Sequence, residues 1–228
     1  MNSYFDKIYV INLPKDQDRK NNMINQFNKY NIKNYKIIEG INGKNLNKED
    51  LKKDGTWAYP GSKVCEKSCS CKGNGHRLSN NQIGLYLSHY KIWEEIIENN
   101  YEKCLILEDD CIFENMDKFE DIKKYIPQNY DLLYLGHRGK IGKRNTCRIE
   151  ETNNNILKLT WGINQTHIYG ITNQGAKTLL ENALPIRAAV DGYFSYFMVR
   201  HKVLKDVLIS RINFGLNGSL NGTYKSVL

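Results

Sequence analysis

The stretch CLILEDDCIF, residues 104–113, places Glu108, Asp109 and Asp110 side by side at the end of an apolar run. The run predicts a buried strand over residues 103–107 of an α/β fold. Three adjacent carboxylates repel one another, and a cation would relieve that repulsion. In open α/β sheets ligands bind beyond the carboxyl ends of the strands, and carboxylate oxygens suit Mg²⁺ or Mn²⁺. The stretch therefore predicts a divalent-cation site, with an exposed acidic loop as the alternative.

The alternation of side chains along a strand refines this prediction. If the extended conformation continued through the three acids, Glu108 and Asp110 would face one way and Asp109 the other. Two acids would then face one ligand.

The elements before the acidic strand follow a strand, helix, strand order. KIYVINL at residues 7–13 predicts a buried strand, and YKIIEG at 35–40 predicts a second one. Asp16 is placed to cap a helix over residues 17–30 between them. A later helix over residues 82–99 has one broad apolar face that must pack on a sheet. The order predicts a parallel α/β sheet at the start of the chain.

The composition fits one globular domain. The chain has 228 residues, of which 40% are hydrophobic and 25% charged, and its net charge is +8. Lys and Arg are spread along the chain, and such a distributed positive charge would equally suit a small acidic ligand such as a sugar nucleotide. The N-terminus has no signal-peptide pattern, and no apolar run is long enough to span a membrane. We therefore expect a cytoplasmic location, where cysteines remain thiols or bind metal.

The stretch at about residues 55–81 has no periodicity and predicts a long, irregular, Cys-rich insertion. It contains ligand types of a structural zinc site. These are Cys65, Cys69, Cys71 and His76. Their spacing fits no standard zinc pattern, so free thiols or a disulfide are alternatives.

Six segments are informative together. They are INLPKDQDRKNNM, QIGLYLSHYKIWEEII, LILEDDCIF, DLLYLG, THIYGITNQGAKTLL and VDGYF. Their order and approximate spacing, over residues 6–200, resemble glycosyltransferase family 25, whose members include lipooligosaccharide galactosyltransferases and collagen galactosyltransferases. The likeness to the collagen type is somewhat closer. It implies a single domain of Rossmann-like GT-A fold that binds a nucleotide-diphosphate sugar and usually a divalent metal.

The resemblance also implies roles for single residues. The positions that match the donor-binding segments are Ile11, Asn12, Leu13, Arg19, Gly84, Ser88, His89 and Asp109. Glu108 and Asp110 match the acidic metal motif, and Asp109 would hydrogen-bond the ribose or the donor sugar. Asp191 matches the late acid and would be the general base that activates the acceptor.

Three of these positions have simpler interpretations that the sequence leaves open. His89 lies on the apolar face of its helix, where a hydrogen-bonded core histidine is common. Arg19 could be a solvated helix charge, and Asp191 could cap the segment that follows it. The Cys-rich insertion and the chain after about residue 201 do not match the family, so the acceptor side is not assigned.

The leading hypothesis is a metal-dependent, inverting transfer of a hexose, galactose or glucose. The donor would be a uridine-diphosphate sugar, and the acceptor a hydroxyl of a glycan or of a glycosylated or hydroxylated protein. One alternative is a sugar-nucleotide-binding or structural protein on the same fold that has lost catalysis. A nucleic-acid-binding module is the other alternative, and the acidic triplet argues against it. We also expect the insertion at about 55–81 to border the acceptor side of the site.

Overall fold

The computed structural model describes residues 1–57, 78–136, 149–160, 166–199 and 202–218. The strands in these ranges are β1 (Lys7–Asn12), β2 (Tyr35–Glu39), β3 (Lys103–Glu108), β4 (Cys111–Phe113), β5 (Leu132–Tyr134), β6 (Ile149–Glu151), β7 (Ile156–Leu159), β8 (Ile168–Thr172), β9 (Val207–Ser210) and β10 (Gly215–Asn217). The α-helices are α1 (Gln17–Lys29), α2 (Lys48–Lys53), α3 (Asn80–Glu98), α4 (Phe119–Ile122), α5 (Asn173–Ala183) and α6 (Val190–Gly192). Short 3-10 turns occur at Gly43–Asn45, Met116–Lys118 and Lys123–Tyr125, and a π-helix spans Tyr193–Val199.

Within the described ranges, eight strands form one mixed sheet in the order β2-β1-β3-β8-β5-β9-β7-β6. The first three neighbours are parallel, as the sequence predicts. The fourth strand, β8, runs antiparallel to both β3 and β5. A separate two-stranded sheet joins β4 to β10. Because β8 runs in the opposite direction, its first residues lie next to the carboxyl ends of β1, β2 and β3.

The predicted elements at the start of the chain are confirmed, and each ends one residue earlier than predicted. β1 ends at Asn12, α1 ends at Lys29 and β2 ends at Glu39. Asp16 does precede α1, but its side chain makes no capping hydrogen bond there. The predicted cap is therefore wrong in its chemistry although right in its position.

The helix α3 begins at Asn80, two residues before the predicted start, because Ser79 and Gln82 form a capping box. The Ser79 hydroxyl accepts a hydrogen bond from the Gln82 main-chain N–H at 3.2 Å, and the Gln82 side chain accepts one from the Ser79 N–H at 2.8 Å. The helix thus begins inside the stretch at about 55–81 that the sequence assigns to the insertion, and residues 58–77 of that stretch lie outside the described residues. The cysteines of the insertion and His76, the candidate zinc ligands, are among them.

Two hydrophobic cores cover the two faces of the sheet. Alternate residues of β1 divide between them, because side chains alternate along a strand. Tyr9 packs with α3 and α5 on one face, and Val10 packs with α1 on the other. Trp93 is the largest fully buried side chain of the α3 side. Both faces of the sheet are covered by these cores, so the space beyond the carboxyl ends of the strands is where a ligand can bind.

Candidate active site

A cleft of ≈ 390 Å³ opens at the carboxyl ends of β1, β2 and β3. Its walls come from the loop after β1, the loop after β2, the first turns of α3, the end of β3 and the beginning of α6. The segment before β8 and the end of β10 complete it. This is the crevice in which ligands of open α/β sheets bind. Of the positions chosen from the sequence, Ile11, Leu13, Arg19, Ser88, Glu108, Asp109, Asp110 and Asp191 line it.

The three consecutive acids all reach the cleft. The strand ends at Glu108, and Asp109 and Asp110 lie in the turn that leads to β4. Strand alternation therefore stops before it can turn Asp109 away from the other two. The expectation that Asp109 faces the opposite side is wrong, because the extended conformation does not continue through it.

Asp109 joins the first strand to the third. Its Oδ2 accepts a hydrogen bond from Asn12 Nδ2 at 2.7 Å, and its Oδ1 lies 3.2 Å from Arg19 Nη1. The Asp109 main-chain N–H donates to the Ile11 carbonyl oxygen at 3.2 Å. Burial raises the pKa of Asp109 to about 6, although Asn12 and Arg19 both act to lower it. Arg19 is thus an ion-pair partner inside the site, which the solvated-charge interpretation did not foresee.

Glu108 has two neighbours on one of its oxygens. Its Oε1 accepts a hydrogen bond from Thr166 Oγ1 at 2.6 Å and lies 3.8 Å from His89 Nε2. Burial alone would raise the pKa of Glu108, but the nearby His89 ring and the hydrogen bond from the Thr166 hydroxyl outweigh burial and lower it. Thr166 belongs to one of the quoted family segments, yet a lone threonine carries no pattern that marks it as a site residue.

Asp110 is buried, and the residue that follows β10 binds its main chain. The Asp110 carbonyl oxygen accepts a hydrogen bond from the Gly218 N–H at 2.7 Å, next to the β4–β10 pair Cys111↔Asn217. Asn217 also lines the cleft. No sequence pattern marks Asn217, because it lies in the part of the chain that does not match the six family segments.

Gly84 and Ser88 shape the loop that follows β2. The Ser88 hydroxyl accepts a hydrogen bond from the Ile41 N–H at 2.8 Å and donates one to the Gly84 carbonyl at 2.7 Å. A Cβ atom at Gly84 would collide with the Ile41 carbonyl oxygen and with the backbone of Gly43. Gly84 and Asn12 do not line the cleft, and they support residues that do.

His89 is fully buried behind Glu108 and is not part of the cleft wall. Its ring stacks on Tyr169 with 5.7 Å between the ring centroids. Of the two interpretations that the sequence leaves open, the structure places His89 in the core, with one ring nitrogen turned toward a cleft carboxylate.

Asp191 lines the cleft at the first turn of α6. Its Oδ1 accepts a hydrogen bond from the Gly192 N–H at 2.7 Å. Burial raises the pKa of Asp191, and the charge of Glu108 adds to the increase. Ala189 is the residue that precedes the helix, so Asp191 is not the N-cap that the alternative interpretation required.

Two lysines complete the electrostatic picture. Lys15 and Lys44 line the cleft together with Arg19, and acidic residues line it as well. Among the described residues, no three His, Cys, Asp or Glu side chains converge as a metal-binding group. The cleft thus combines anion-attracting and cation-attracting side chains.

None of the helices in the described ranges has the length and apolar character needed to cross a bilayer.

The family model described as "Glycosyltransferase family 25 (LPS biosynthesis protein)" matches residues 5–194, which include all the acids of the cleft. The chain belongs to glycosyltransferase family 25. The Rossmann-like GT-A α/β fold predicted from the six segments is confirmed by this membership and by the mixed sheet with helices on both faces.

Curated relatives in family 25 include enzymes and inactive proteins. Procollagen galactosyltransferase 2 of Mus musculus is 34% identical over 140 residues, which are 59% of this chain and 21% of the relative. The inactive glycosyltransferase 25 family member 3 of the same species is 27% identical over 139 residues, 59% of this chain and 22% of the relative. The chain thus spans about a fifth of the length of these relatives.

Solved structures show weaker likeness. A glycosyltransferase involved in glycosylation of the major capsid of PBCV-1 has a TM-score of 0.39 and 9% identity, covering 90% of this chain and 91% of its own. A mannose-1-phosphate geranyltransferase from Thermus thermophilus has a TM-score of 0.37 and 8% identity, covering 57% of this chain and 50% of its own. Neither likeness is strong enough to carry an argument about the site.

Proposed function

We propose that the protein is a divalent-metal-dependent glycosyltransferase that moves a hexose from a uridine-diphosphate sugar to a hydroxyl acceptor with inversion. One observation carries the proposal: in a member of family 25, Glu108, Asp110 and Asp191 line a single cleft at the carboxyl ends of parallel strands. Family membership alone does not decide activity, because inactive relatives exist.

The size and charge of the cleft suit a nucleotide sugar. Its ≈ 390 Å³ falls within the roughly 300–1,000 Å³ usual for small-molecule sites. Lys15, Lys44 and Arg19 supply positive charge for a diphosphate. The loop after β2, braced by Ser88, offers main-chain groups to the rest of the nucleotide.

The acids fit a hard divalent cation. Glu108 and Asp110 offer carboxylate oxygens, and Mg²⁺ is commonly held by one or two carboxylates plus phosphate oxygens and water. That the described side chains form no group of three ligands agrees with a site that the diphosphate completes. When bound, Mg²⁺ or Mn²⁺ would neutralise the charge of the departing diphosphate.

Asp191 is the candidate general base. In a single displacement the acceptor oxygen bonds to the anomeric carbon as the bond from that carbon to the diphosphate breaks, and the configuration inverts. The proton of the acceptor hydroxyl passes to the Asp191 carboxylate. Burial makes this carboxylate more basic than an exposed one, which favours proton transfer near neutral pH.

The relatives suggest which substrates to test first. The names of the procollagen galactosyltransferases make galactose the first donor sugar, with glucose second. A hydroxyl on a protein or glycan is the acceptor class that we propose.

Isothermal calorimetry with UDP, UDP-galactose and UDP-glucose, in Mn²⁺ and in excess chelator, tests the proposal. We expect binding in Mn²⁺ that Asp110→Asn weakens strongly, whereas Asp117→Asn, at an exposed acid outside the cleft, binds like the wild type. Equal affinity in Mn²⁺ and chelator would remove the metal from the proposal. Binding without release of UDP in the presence of any protein or glycan acceptor would favour the inactive alternative.

A further inference from the structure

A chain of buried polar groups runs from the core to Glu108. Trp93 Nε1 lies 3.1 Å from the Tyr169 hydroxyl oxygen, and that oxygen lies 2.9 Å from His89 Nδ1. His89 Nε2 then faces Glu108 Oε1 at 3.8 Å. Trp93, Tyr169 and His89 are all fully buried, so bulk water does not compete for these contacts.

The direction of each contact follows from the chemistry of the donors. An indole N–H can only donate, so the Tyr169 oxygen accepts from Trp93. The Tyr169 hydroxyl proton then points to His89 Nδ1, which must accept it. A proton on Nδ1 would instead make both Trp93 and His89 donors to the phenol oxygen, and the hydrogen bonds of the described residues include no other acceptor for the Tyr169 proton. The arrangement therefore places the His89 ring proton on Nε2, the nitrogen that faces Glu108.

The two oxygens of Glu108 have different surroundings. Thr166 Oγ1 and His89 Nε2 both contact Oε1, at 2.6 Å and 3.8 Å. The second distance exceeds the roughly 2.7–3.2 Å of a hydrogen bond, so His89 acts through the orientation of its N–H dipole. These contacts leave Oε2 for a ligand in the cleft.

We infer that His89 is a positioning residue for Glu108: Trp93 and Tyr169 fix the ring so that its Nε2–H, with Thr166, holds Glu108 Oε1 and directs Oε2 toward a metal-bound diphosphate. The nature of that ligand rests on the proposed function. The orientation of the ring does not, because it follows from buried protein groups alone. Outer-shell partners of metal-binding carboxylates typically change metal affinity by about 10- to 100-fold when they are removed.

The chain offers a matched pair of variants. Tyr169→Phe removes the hydroxyl that fixes His89. Tyr86→Phe removes another fully buried hydroxyl on the α3 side of the sheet, one that donates to the Ala183 carbonyl at 2.8 Å, outside the hydrogen-bonded chain from Trp93 to His89, and it keeps the ring that packs against Trp93. Both variants lose a buried hydrogen bond, so both are expected to have a lower Tm. An effect confined to Tyr169→Phe would therefore report on Glu108 and not on stability.

The first measurement is the tautomer of His89, read from long-range ¹H–¹⁵N correlations of the imidazole rings. The chain has 5 histidines, and the His89 signals are assigned by their loss in His89→Gln. We expect a proton on Nε2 and none on Nδ1 in the wild type and in Tyr86→Phe, and a mixture of tautomers in Tyr169→Phe. A protonated Nδ1 in the wild type, or no change in Tyr169→Phe, would overturn the inference.

The second measurement is the Mn²⁺-dependent affinity for UDP by calorimetry. We expect it to fall by about 10- to 100-fold in Tyr169→Phe and in His89→Leu, and to stay within about twofold in Tyr86→Phe. His89→Gln, which retains an amide donor near the position of Nε2, should bind more tightly than His89→Leu. Wild-type affinity in Tyr169→Phe would overturn the positioning role. If the wild type itself bound no UDP in Mn²⁺, the proposed function would fail, and the tautomer measurement alone would decide this inference.

Discussion

Asp109 is buried and also has a charged partner, Arg19. Burial and the partner have opposite effects on the pKa of Asp109. Arg19 and Asn12 favour the charged carboxylate, whereas burial favours the neutral acid and has the larger effect, since the pKa is raised to about 6. In the folded protein this carboxyl therefore holds its proton more tightly than in the unfolded chain, where the pKa of Asp is about 3.9.

This difference predicts how stability depends on pH in the metal-free protein. The contribution of Asp109 is fully present below about pH 4 and is lost as the pH rises through about 6. Asp109→Asn is neutral at every pH. The free energy of unfolding of this variant, measured relative to that of the wild type, should therefore increase by on the order of 2 kcal/mol from pH 4 to pH 7. Urea unfolding of both proteins in chelator measures this, and a difference that stays constant with pH would contradict it.

Asp191 leads to a prediction about turnover. Transfer needs a group that takes the acceptor proton, whereas binding of the donor does not. Asp191→Asn should lower kcat by about 10²- to 10⁴-fold and leave the affinity for the donor nearly unchanged. Steady-state kinetics with calorimetry separates the two effects. Full turnover would exclude the role of base, and loss of metal-dependent donor binding would assign Asp191 to the metal site.

Two elements outside the acidic strand shape the cleft, namely α3 and β10. The helix α3 packs so closely on the loop after β2 that Gly84 has no room for a side chain. The strand β10 pairs with β4 and places Asn217 in the cleft. His167 Nε2 donates a hydrogen bond to the Gly215 carbonyl at 2.8 Å and fixes the start of β10.

The close packing of α3 predicts that Gly84→Ala is destabilising. The new Cβ would force the Ile41 carbonyl away, at a cost of about 1–3 kcal/mol, and would shift a loop that lines the cleft. Gly192→Ala is a suitable stability control, because its Cβ would meet the Ala188 Cβ at an ordinary 3.4 Å. Thermal unfolding and UDP titration of both variants measure these effects. A Gly84→Ala protein as stable as the wild type would show that the loop yields without cost.

The position of β10 predicts that the end of the described chain is needed for ligand binding. A chain that stops after Phe214 keeps that buried side chain but loses the β4–β10 pairs and the Gly218–Asp110 hydrogen bond. A chain that stops after Gly218 keeps both. We expect Mn²⁺-dependent UDP affinity to fall at least about tenfold in the shorter chain only. Equal loss in both would assign the effect to residues beyond 218.

The molecule as a whole shows which features the sequence could predict. Residues 7–40, α3 and the acidic strand were predictable, because their periodicity is local and their boundaries carry turn or capping residues. The reversal at β8 and the return of β10 were not, because pairing between distant strands leaves no local pattern. Thr166 and Asn217 were missed for the same reason. They join the site through strand order, and neither is an unusual residue where it stands.

Ligand linkage gives a prediction for the folded molecule. A ligand that binds only the folded state at about 100 times its Kd adds about 2.7 kcal/mol to the free energy of unfolding. For a chain of this length that corresponds to a rise in Tm of roughly 5–11 °C. We expect UDP with Mn²⁺ to produce such a rise, and UDP with chelator to produce much less. Differential scanning calorimetry decides it, and equal shifts in the two conditions would contradict a metal-dependent donor site.

The contact between Gly218 and Asp110 also bears on biosynthesis. A ribosome makes the carboxylates of residues 108–110 long before it makes β10 and the residue after it, which binds the Asp110 main chain. A nascent or prematurely terminated chain that stops between them would contain the whole acidic motif without the main-chain partner of Asp110. Under the proposed function, we expect such incomplete products to carry the motif but to bind the sugar nucleotide only weakly.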